Sequence, residues 1–452
     1  MDVRELKRVY FIGIGGIGMS ALARFFREQG TIVSGYDRTE TELTQQLAEE
    51  GIEIHYDDNV NNVDKEAELV VYTPAIPKEN TELEWCINNK YPVHKRSDVL
   101  QWITESMFAI TVAGTHGKTT VSTIIAYLLR ETGYGCNAFL GGVSVNYESN
   151  YWSSENDIAV VEADEYDRSF LKLRPDIAVL TAMDSDHLDV YGTTKEMEDA
   201  FIQYTKNIKP RGTLIVKHGL HRAKELKGHN TFTYSLQNDA ADVYGANIVQ
   251  KKGGYEFDVI GKDWTIKGLH LPIGGMHNVE NAIAAIAVCD MLDIDVRKIK
   301  AALATFFGIK RRFEYILKTA KVMFIDDYAH HPAELEALIT STKQLFPHRK
   351  CTIAFQPHLF SRTRDLADDF AKSLDLADEV ILLDIYPARE LPIEGITSQL
   401  IASHMENPAH AVLTKDELIS YIKKAPINLF ITAGAGDIDK LVEPIKIILA
   451  GK

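Results

Sequence analysis

Short apolar runs alternate with amphipathic segments along most of the chain. The apolar run RVYFIGIGG ends in glycines, and MSALARFFREQG follows it with apolar residues at helical spacing. The strand-like runs TIVSGYD and ELVVYTPAIP come next, with the helical segment LTQQLAEEG between them. Because strands that alternate with helices form parallel sheets with helices on both faces, this pattern predicts an α/β fold.

The same alternation restarts at MFAITVAGTHGKTT and again at KVMFIDDYAHHPAELEALI. Residues 230–272 differ, because TFTYSL, DVYGANIVQ, YEFDVIG and WTIKGLHLP follow one another with glycine turns and predict a small antiparallel patch. We therefore predict three α/β domains: a Rossmann-like domain at 1–105, a central P-loop ATPase domain with a mostly parallel sheet plus the antiparallel patch at 106–312, and a Rossmann-like domain at 313–452.

Charge narrows the class of partner. The 452 residues include 49 Lys and Arg against 64 Asp and Glu, which gives a net charge of −15. A nucleic-acid or anionic-membrane surface needs a basic patch, so we expect neither partner.

The four cysteines are far apart, which favours buried reduced thiols, and the amino terminus shows no signal-peptide pattern. We expect a cytoplasmic protein that is a monomer or a weak homodimer.

The first glycine turn is GIGGIG at residues 13–18. Gly13, Gly15 and Gly18 fit G-x-G-x-x-G between a strand and a helix, and Asp37 ends the following strand. Such glycines let the backbone approach a pyrophosphate at a helix amino terminus. The backbone reads phosphates and not the base, so the ligand is either NAD or another nucleotide such as a UDP-sugar. A tight turn without a ligand is the alternative.

The second glycine turn is GTHGKTT at residues 114–120. The standard phosphate loop places its first glycine at position 112, where this chain has Val. The core GKTT is nevertheless retained after an apolar strand and before a helix. Lys118 is therefore predicted to reach the β- and γ-phosphates of ATP, and Thr119 to place a hydroxyl on Mg²⁺.

Polar residues after other predicted strands are candidates for the same edge of the sheet. Glu162 and His187 end or follow successive predicted strands and are candidate Mg²⁺ ligands. Taken singly, an acidic cluster is more often a solvated turn and such a histidine more often structural, but the phosphate loop upstream favours the metal site. Asn278 and Asn281 lie one helical turn apart, where they either read a base or cap the helix. Arg362 and Arg364 are candidates for binding a carboxylate or phosphate, with surface salt bridges as the alternative.

Taken together and in this order, GIGGIGMSALA, GTHGKTT, EADE, DHLDVYG, GMHNVENA, DDYAHHP, FQPH…SRTRD and ITAGAGD resemble the Mur ligase family over essentially the whole chain. The resemblance implies the three-domain Mur ligase fold and a role in peptidoglycan precursor synthesis. The opening GIGGIGM is most similar to the branch that joins L-alanine to UDP-N-acetylmuramate with ATP and Mg²⁺. EADEYDRSF is also similar to the sister branch that recycles murein tripeptide.

The resemblance also implies roles for individual residues. The ATP site would comprise Gly114, Thr115, His116, Gly117, Lys118, Thr119, Thr120, Asn278, Asn281 and Arg312. Magnesium would be held by Thr119, Glu162 and His187, and the catalytic residues would be Lys118, Glu162 and His187. The UDP-sugar would be bound by Gly15, Gly16, Gly18, Asp37, Thr73, Arg96 and His116. The amino acid would be bound by Tyr328, His330 and Arg362.

One departure from the family pattern concerns Leu359, which follows FQPH where many relatives have Arg, so one amino-acid contact is expected to be rearranged. The expected reaction phosphorylates the lactyl carboxylate, and the alanine amine then attacks the acyl phosphate while the third domain closes. The base that deprotonates the amine stays open among His187, His330 and His331.

Two other classes explain part of the pattern. A nicotinamide dehydrogenase would use GIGGIG and leave GTHGKTT without a function. A non-catalytic nucleotide-binding regulator would use both turns and leave the order of the motifs after residue 313 unexplained.

Overall fold

The structure is a computed structural model, and it describes residues 3–77, 79–184, 188–251, 253–388 and 390–452. The chain divides into two compact units. The first unit comprises Met1–Asn247, Phe257–Leu269 and Val279–Thr305. The second comprises Ile248–Glu256, His270–Asn278 and Phe306–Lys452. No helix among the described residues combines the length and the apolar character that crossing a membrane requires.

The amino-terminal part is built on a five-stranded, fully parallel sheet in the order β3-β2-β1-β4-β5. Its elements are β1 (Arg8–Ile12), α1 (Ile17–Glu28), β2 (Ile32–Tyr36), α2 (Glu42–Glu49), β3 (Glu53–His55), β4 (Leu69–Tyr72), α3 (Thr81–Asn88), β5 (Val93–Lys95) and α4 (Arg96–Ser106). The strand order reverses between β1 and β4, and ligands of open α/β sheets bind at such a switch point, beyond the carboxyl ends of the strands.

The central part is built on a ten-stranded sheet in the order β15-β14-β13-β12-β11-β10-β6-β9-β7-β8. Its strands are β6 (Phe108–Ala113), β7 (Asn137–Ser144), β8 (Ser149–Trp152), β9 (Ile158–Glu162), β10 (Ile177–Leu180), β11 (Thr213–Lys217), β12 (Asn230–Ser235), β13 (Val243–Lys251), β14 (Gly254–Ile260) and β15 (Thr265–Leu271). Its helices are α5 (Lys118–Glu131), α6 (Leu188–Tyr191), α7 (Thr194–Thr205), α8 (Met276–Met291) and α9 (Val296–Leu303). Strands β10 and β9 flank β6, so the loop after β6 lies at the middle of the parallel region.

The carboxyl-terminal part is built on a six-stranded sheet in the order β16-β17-β21-β18-β19-β20, parallel except for β16. Its strands are β16 (Glu314–Lys318), β17 (Met323–Asp327), β18 (Cys351–Phe355), β19 (Glu379–Leu382), β20 (His410–Val412) and β21 (Leu429–Ala433). Its helices are α10 (Pro332–Leu345), α11 (Phe360–Asp365), α12 (Ala367–Leu374), α13 (Ser398–His404), α14 (Lys415–Lys424) and α15 (Val442–Ala450). Short 3₁₀ turns lie at Val3–Glu5, Ser169–Lys172, Ala223–Glu225 and Asp437–Leu441.

Within the first unit, the amino-terminal and central sheets share one hydrophobic core. Helix α1 packs on β7 and β8, with the ring of Phe25 lying 5.4 Å from that of Phe139. Phe11, Leu22 and Val161 belong to the same continuous apolar cluster. Burying such residues in one cluster is the main favourable term in folding, which explains why the amino-terminal part and most of the central part form a single compact unit.

The predicted α/β architecture with three sheets is confirmed, and the small antiparallel patch is formed by β13 to β15. TFTYSL was wrongly assigned to that patch, because β12 pairs in parallel with both β11 and β13. The antiparallel pair of β7 and β8 was not predicted. The domain boundaries at 105/106 and 312/313 stay predictions.

Candidate active site

The loop between β6 and α5 is shaped by two glycines with positive φ. Gly114 has φ +134°, and a Cβ there would lie 2.7 Å from the backbone nitrogen of Ala182. Gly117 caps α5 with φ +81°. Thr181 ties the loop down, because its hydroxyl donates to the carbonyls of Ala113 and His116. The sequence thus places the amino terminus of a 14-residue helix behind an open loop, which is the geometry that binds phosphate.

Lys118, the first residue of α5, is held by two acceptors. Its ammonium donates to the carbonyl oxygen of Gly114 at 2.8 Å and to Oε1 of Glu165 at 2.7 Å. The side chain of Glu165 is fully buried and that of Lys118 is 14% exposed. Burial raises the pKa of Glu165, and the nearby ammonium of Lys118 opposes that rise.

Two of the predicted Mg²⁺ ligands lie in contact. The hydroxyl of Thr119 donates to Oε1 of Glu162 at 3.0 Å, and the backbone N–H of Gly141 donates to the other oxygen at 3.1 Å. A hydroxyl beside a carboxylate is an oxygen ligand set that suits Mg²⁺ completed by water and phosphate. His187, the third predicted ligand, lies outside the described residues.

Apart from Arg312, the remaining residues predicted to bind ATP lie at the loop or on α8. Asn281 is buried, and its Oδ1 would be 2.8 Å from a Cβ on Gly117. Asn278 stands one turn earlier on α8, where its amide donates to the carbonyl of Gly274 at 2.6 Å. In the loop itself, the hydroxyl of Thr115 accepts from the N–H of Asp184, Thr120 is buried, and His116 is exposed with its Nε2 3.9 Å from Asp184.

The carboxylate of Asp37 accepts a hydrogen bond from the first glycine turn. The N–H of Gly15 donates to Oδ2 of Asp37 at 2.7 Å, and a Cβ on Gly15 would lie 2.8 Å from that oxygen. Gly13 has φ +86°, and a Cβ there would lie 2.8 Å from a methyl of Thr73. Gly16 caps α1. The residues predicted to bind the UDP-sugar therefore meet at the carboxyl ends of β1, β2 and β4.

Arg96 closes this turn from the other side. A Cβ on Gly18 would overlap its guanidinium, because Cζ would be 3.0 Å away and Nη1 closer still. Nη2 of Arg96 lies 3.8 Å from Oδ2 of Asp164. Asp164 and Glu165 are adjacent, so one loop after β9 contacts both Arg96 and Lys118.

In the second unit, the residues predicted to bind the amino acid cluster at the carboxyl ends of β17 and β18. The ring of Tyr328 is edge-on to that of His330 at 5.3 Å, and Nδ1 of His330 lies 3.0 Å from the carbonyl of Tyr328. Burial lowers the pKa of His330; the carboxylate of Glu334, 3.5 Å away, opposes this shift, and the positive charge of Arg362 adds to it. Nη1 of Arg362 is buried, and no described residue offers it a hydrogen bond. A buried guanidinium nitrogen without an acceptor fits a site for an anion.

Arg311 and Arg312 have different surroundings. Arg311 pairs with Asp326 and Asp439 at 3.5 and 3.3 Å and lies 5.1 Å from the ring of Tyr328, so it supports that ring. Arg312, predicted to bind ATP, is exposed.

Two residues near Arg362 bear on the sequence predictions. Arg364 forms an exposed salt bridge with its neighbour Asp365 at 2.7 Å, so for this residue the surface alternative holds. Leu359 caps α11 with φ +71°, a strained conformation for a residue other than glycine.

Sequence reasoning missed Glu165 and Gly141. Glu165 was passed over because EADE offers three carboxylates, and nothing in the sequence says which one becomes buried. Gly141 left a clearer signal, since a glycine pair inside a strand marks close approach of another group. A Cβ on Gly141 would overlap the carboxylate of Glu162, so Gly141 is the residue that admits this carboxylate.

Comparisons with known proteins agree along the whole chain. Three family models match: the one described as "Mur ligase family, catalytic domain" at residues 8–107, "Mur ligase middle domain" at 112–289 and "Mur ligase, glutamate ligase domain" at 311–436.

Similar individual proteins include UDP-N-acetylmuramate–L-alanine ligases. The one from Parabacteroides distasonis is 46% identical over 456 residues, covering 99% of this chain and 98% of that protein. The one from Porphyromonas gingivalis is 46% identical over 449 residues, covering 98% of each. The crystal structure of UDP-N-acetylmuramate–alanine ligase MurC from Thermotoga maritima matches with a TM-score of 0.84 at 28% identity, covering 99% of this chain and all of that one.

Proposed function

The chain belongs to the Mur ligase family, and from that membership we propose that it joins L-alanine to the lactyl carboxylate of UDP-N-acetylmuramate with ATP, in peptidoglycan precursor synthesis. One observation supports this most directly. The first unit carries two separate glycine turns, each with its own charged side chains, and a ligase that handles a nucleotide-carried acid and ATP needs both. A dehydrogenase needs only one.

The ATP site that we propose is the loop from Gly114 to Thr120. Its backbone N–H groups and Lys118 would bind the β- and γ-phosphates, and the dipole of α5 favours negative charge at this end of the helix. Asn281 stands beside Gly117. Asn278 and Arg312 complete the proposed set from α8 and from the segment before β16.

We propose that Mg²⁺ binds at Thr119 and Glu162, with His187 as the third ligand. The hydroxyl of Thr119 and the carboxylate of Glu162 are hydrogen-bonded to each other, and the carboxylate is also held by the backbone N–H of Gly141 in the neighbouring strand β7. When bound, the ion would polarise the phosphoryl oxygens and offset their charge.

The UDP-sugar site that we propose is the first glycine turn with Asp37, Thr73 and Arg96, together with His116 from the second turn. The turn offers backbone N–H groups at the amino terminus of α1, and Arg96 offers a guanidinium suited to a diphosphate. Asp37 ends β2, where a carboxylate can accept from a ribose hydroxyl.

The amino-acid site that we propose comprises Tyr328, His330 and Arg362. Arg362 would bind the carboxylate of alanine, since its Nη1 is buried and lacks an acceptor within the described part of the chain. The lowered pKa of His330 favours the neutral imidazole, which is the form that can accept a proton from the alanine ammonium. His187 and His331 remain the other candidates for this base.

The chemistry follows from the substrates. A carboxylate is a poor acyl electrophile, so the γ-phosphoryl group of ATP first moves to the lactyl carboxylate and ADP forms. The neutral amine of alanine then attacks the acyl carbon, and phosphate leaves as the amide bond forms. Both steps build negative charge on oxygen, and Lys118 with the loop N–H groups would stabilise it without reorganising.

The decisive measurement is ADP formation by the purified protein. We expect ADP only when ATP, Mg²⁺, UDP-N-acetylmuramate and L-alanine are present together, with one amide product per ADP. Replacing alanine with glycine, serine or a murein tripeptide tests selectivity. No ADP with the complete mixture would reject the proposal, and turnover with tripeptide but not alanine would move the protein to the recycling branch.

A second measurement tests the amino-acid site. We expect Arg362→Lys to raise the KM for alanine by about 10- to 100-fold, because a point charge replaces a bidentate group. Arg364→Lys is the matched control, since Arg364 pairs only with Asp365 among the described residues. Equal effects of the two variants would contradict the assignment of Arg362.

A further inference from the structure

Glu165 is a buried carboxylate directly behind the predicted phosphate loop. Its side chain has no exposed surface, and its Oε1 lies 2.7 Å from the ammonium of Lys118. Lys and Glu are almost never fully buried unless they are paired. This ion pair is therefore a fixed part of the loop structure, unlike a pair formed by a flexible surface lysine.

The main chain of Glu165 is itself firmly held. Its carbonyl accepts from the hydroxyl of Tyr191 at 2.6 Å and from the N–H of Arg168 at 2.9 Å. Tyr191 is 1% exposed, and the guanidinium of Arg168 lies 4.8 Å from its ring. Glu165 thus offers a fixed acceptor, in contrast to a carboxylate on a mobile loop.

The hydrogen bonds of Lys118 show what this acceptor does. An ammonium has three N–H donors, and the structure gives two of them to Gly114 and Glu165. With two donors fixed, the four-carbon side chain is held in one orientation, and the third N–H, which no described residue accepts, can bind a ligand in the loop. A free lysine would lose about 2 kcal/mol of rotamer entropy on being ordered in this way.

We propose that Glu165 is a positioning residue that holds the ammonium of Lys118 in the orientation needed for phosphoryl transfer. The inference rests on the proposed function, because it assigns Lys118 to the phosphates of ATP. Glu165 acts through Lys118 and does not touch the substrate.

The charge of Glu165 gives the proposal a specific kinetic consequence. A buried carboxylate next to a triphosphate repels it, so Glu165 weakens the binding of ATP while it aims the lysine that stabilises the transferred group. Removing the charge should therefore improve binding and slow the chemistry. General damage to the loop would weaken both.

The variant that tests this is Glu165→Gln, which keeps the shape and one acceptor but removes the charge. We expect kcat to fall about 10- to 100-fold, since small misplacements of catalytic groups cost up to about 100-fold. We expect the KM for ATP, and the dissociation constant of a non-hydrolysable ATP analogue measured by calorimetry, to stay equal or to fall. Glu165→Asp keeps the charge but shortens the reach, so it should lower kcat without improving ATP binding.

The matched control is Glu82→Gln. Glu82 is also 0% exposed, and it is bonded to Tyr10 and His55 in the amino-terminal part, away from either turn. We expect this variant to lose thermal stability with kcat and KM unchanged.

Several results would overturn the proposal. One is a Glu165→Gln variant whose kcat stays within twofold of the wild-type value, and another is a fall in kcat accompanied by a proportional rise in the KM for ATP. If neither Glu165 variant folds, Glu165 is a structural residue and the proposal fails as well. The wild-type protein is assayed alongside, so that an absence of ADP there rejects the proposed function and not the role of Glu165.

Discussion

The two glycine turns of the first unit look alike in sequence and differ in how they hold charge. At the first turn, the charged groups lie at the rim: Asp37 binds the N–H of Gly15, and Arg96 lies over Gly18 with 24% of its side chain exposed. At the second turn, the charges lie underneath, where fully buried Glu165 holds Lys118.

The difference matches what each turn is proposed to do. A site that only binds a diphosphate can use backbone donors and rim charges that water still reaches, since such contacts cost little to make and break. A site that transfers a phosphoryl group gains from charges fixed in advance in a place that water cannot reach. We therefore expect changes at the second turn to affect catalysis and stability more than changes at the first.

The largest effect is expected for Gly114→Ala. Its φ of +134° is unfavourable for alanine, and the new Cβ would lie 2.7 Å from the backbone of Ala182, which cannot move without disturbing β10. We expect ADP formation to fall by about 100-fold or more, because the loop cannot keep its shape. Binding of UDP-N-acetylmuramate, measured by calorimetry, should weaken far less, by about tenfold at most, because His116 is the one residue of its proposed site that lies in this loop.

Gly133→Ala is the matched control for this variant. Gly133 also has positive φ, at +78°, but a Cβ there would meet nothing within 4 Å. It should cost about 1 kcal/mol of stability and leave the activity intact. A similar loss of ADP formation in both variants would show that backbone strain alone, and not the shape of the second turn, is responsible.

Lys118→Met is expected to show the next largest effect, on stability. Without the ammonium, Glu165 stays buried without its partner charge, and breaking a buried pair costs about 3–5 kcal/mol. The cost should depend on pH. Burial already raises the pKa of Glu165, and loss of Lys118 would raise that pKa further.

The direction follows from linkage. A carboxyl group whose pKa is higher in the folded than in the unfolded state stabilises the fold fully below its unfolded pKa, and this contribution is lost as pH rises through the folded value. The deficit in melting temperature relative to the wild type should therefore be larger at pH 8 than at pH 5. In Lys118→Met combined with Glu165→Gln, the deficit should be smaller and should not grow as pH rises. A pH-independent deficit in the single variant would contradict the buried charge.

The contrast between the turns also separates what the sequence could and could not predict. Both turns were found because glycine spacing and the strand–helix context are local, and local pattern determines where Gly13 and Gly114 lie. The pairing of Lys118 with Glu165 depends on β6 and β9 being neighbours in the sheet, which spacing along the chain does not reveal.

Other misses have the same cause. β12 resembled its successors in composition, and only its partners in the sheet make it parallel. The local sequence pattern does not distinguish Arg362 from Arg364. In the structure, Nη1 of Arg362 is buried, whereas the side chain of Arg364 is exposed. In each case the tertiary environment, and not the local pattern, determines the direction of the strand or the burial of the residue.

Gly18→Ala should produce a smaller effect, confined to the first turn. The new methyl would displace the guanidinium of Arg96, which is the flexible end of a side chain, so the fold should survive. We expect the affinity for UDP-N-acetylmuramate to fall about tenfold, equivalent to about 1.4 kcal/mol, while the affinity for an ATP analogue changes by a few-fold at most. Gly30→Ala, a positive-φ site with open space in the same sheet region, should leave both affinities unchanged. Unchanged sugar-nucleotide binding in Gly18→Ala would remove Arg96 from the proposed site.

The smallest expected effect concerns the loop that contacts both turns. Asp164 pairs with Arg96 at 3.8 Å, and Glu165 beside it holds Lys118. A diphosphate that draws Arg96 away would loosen the loop that carries Asp164 and Glu165, and with it the carboxylate of Glu165, whose charge weakens ATP binding. Binding of UDP-N-acetylmuramate should then raise the affinity for an ATP analogue, by a few-fold at most, because the pair is partly exposed and such pairs contribute about 1 kcal/mol or less. Asp164→Asn should abolish this enhancement. Asp157→Asn, which removes the exposed pair with Arg4, should keep it. If the enhancement persists in Asp164→Asn, the two turns act independently.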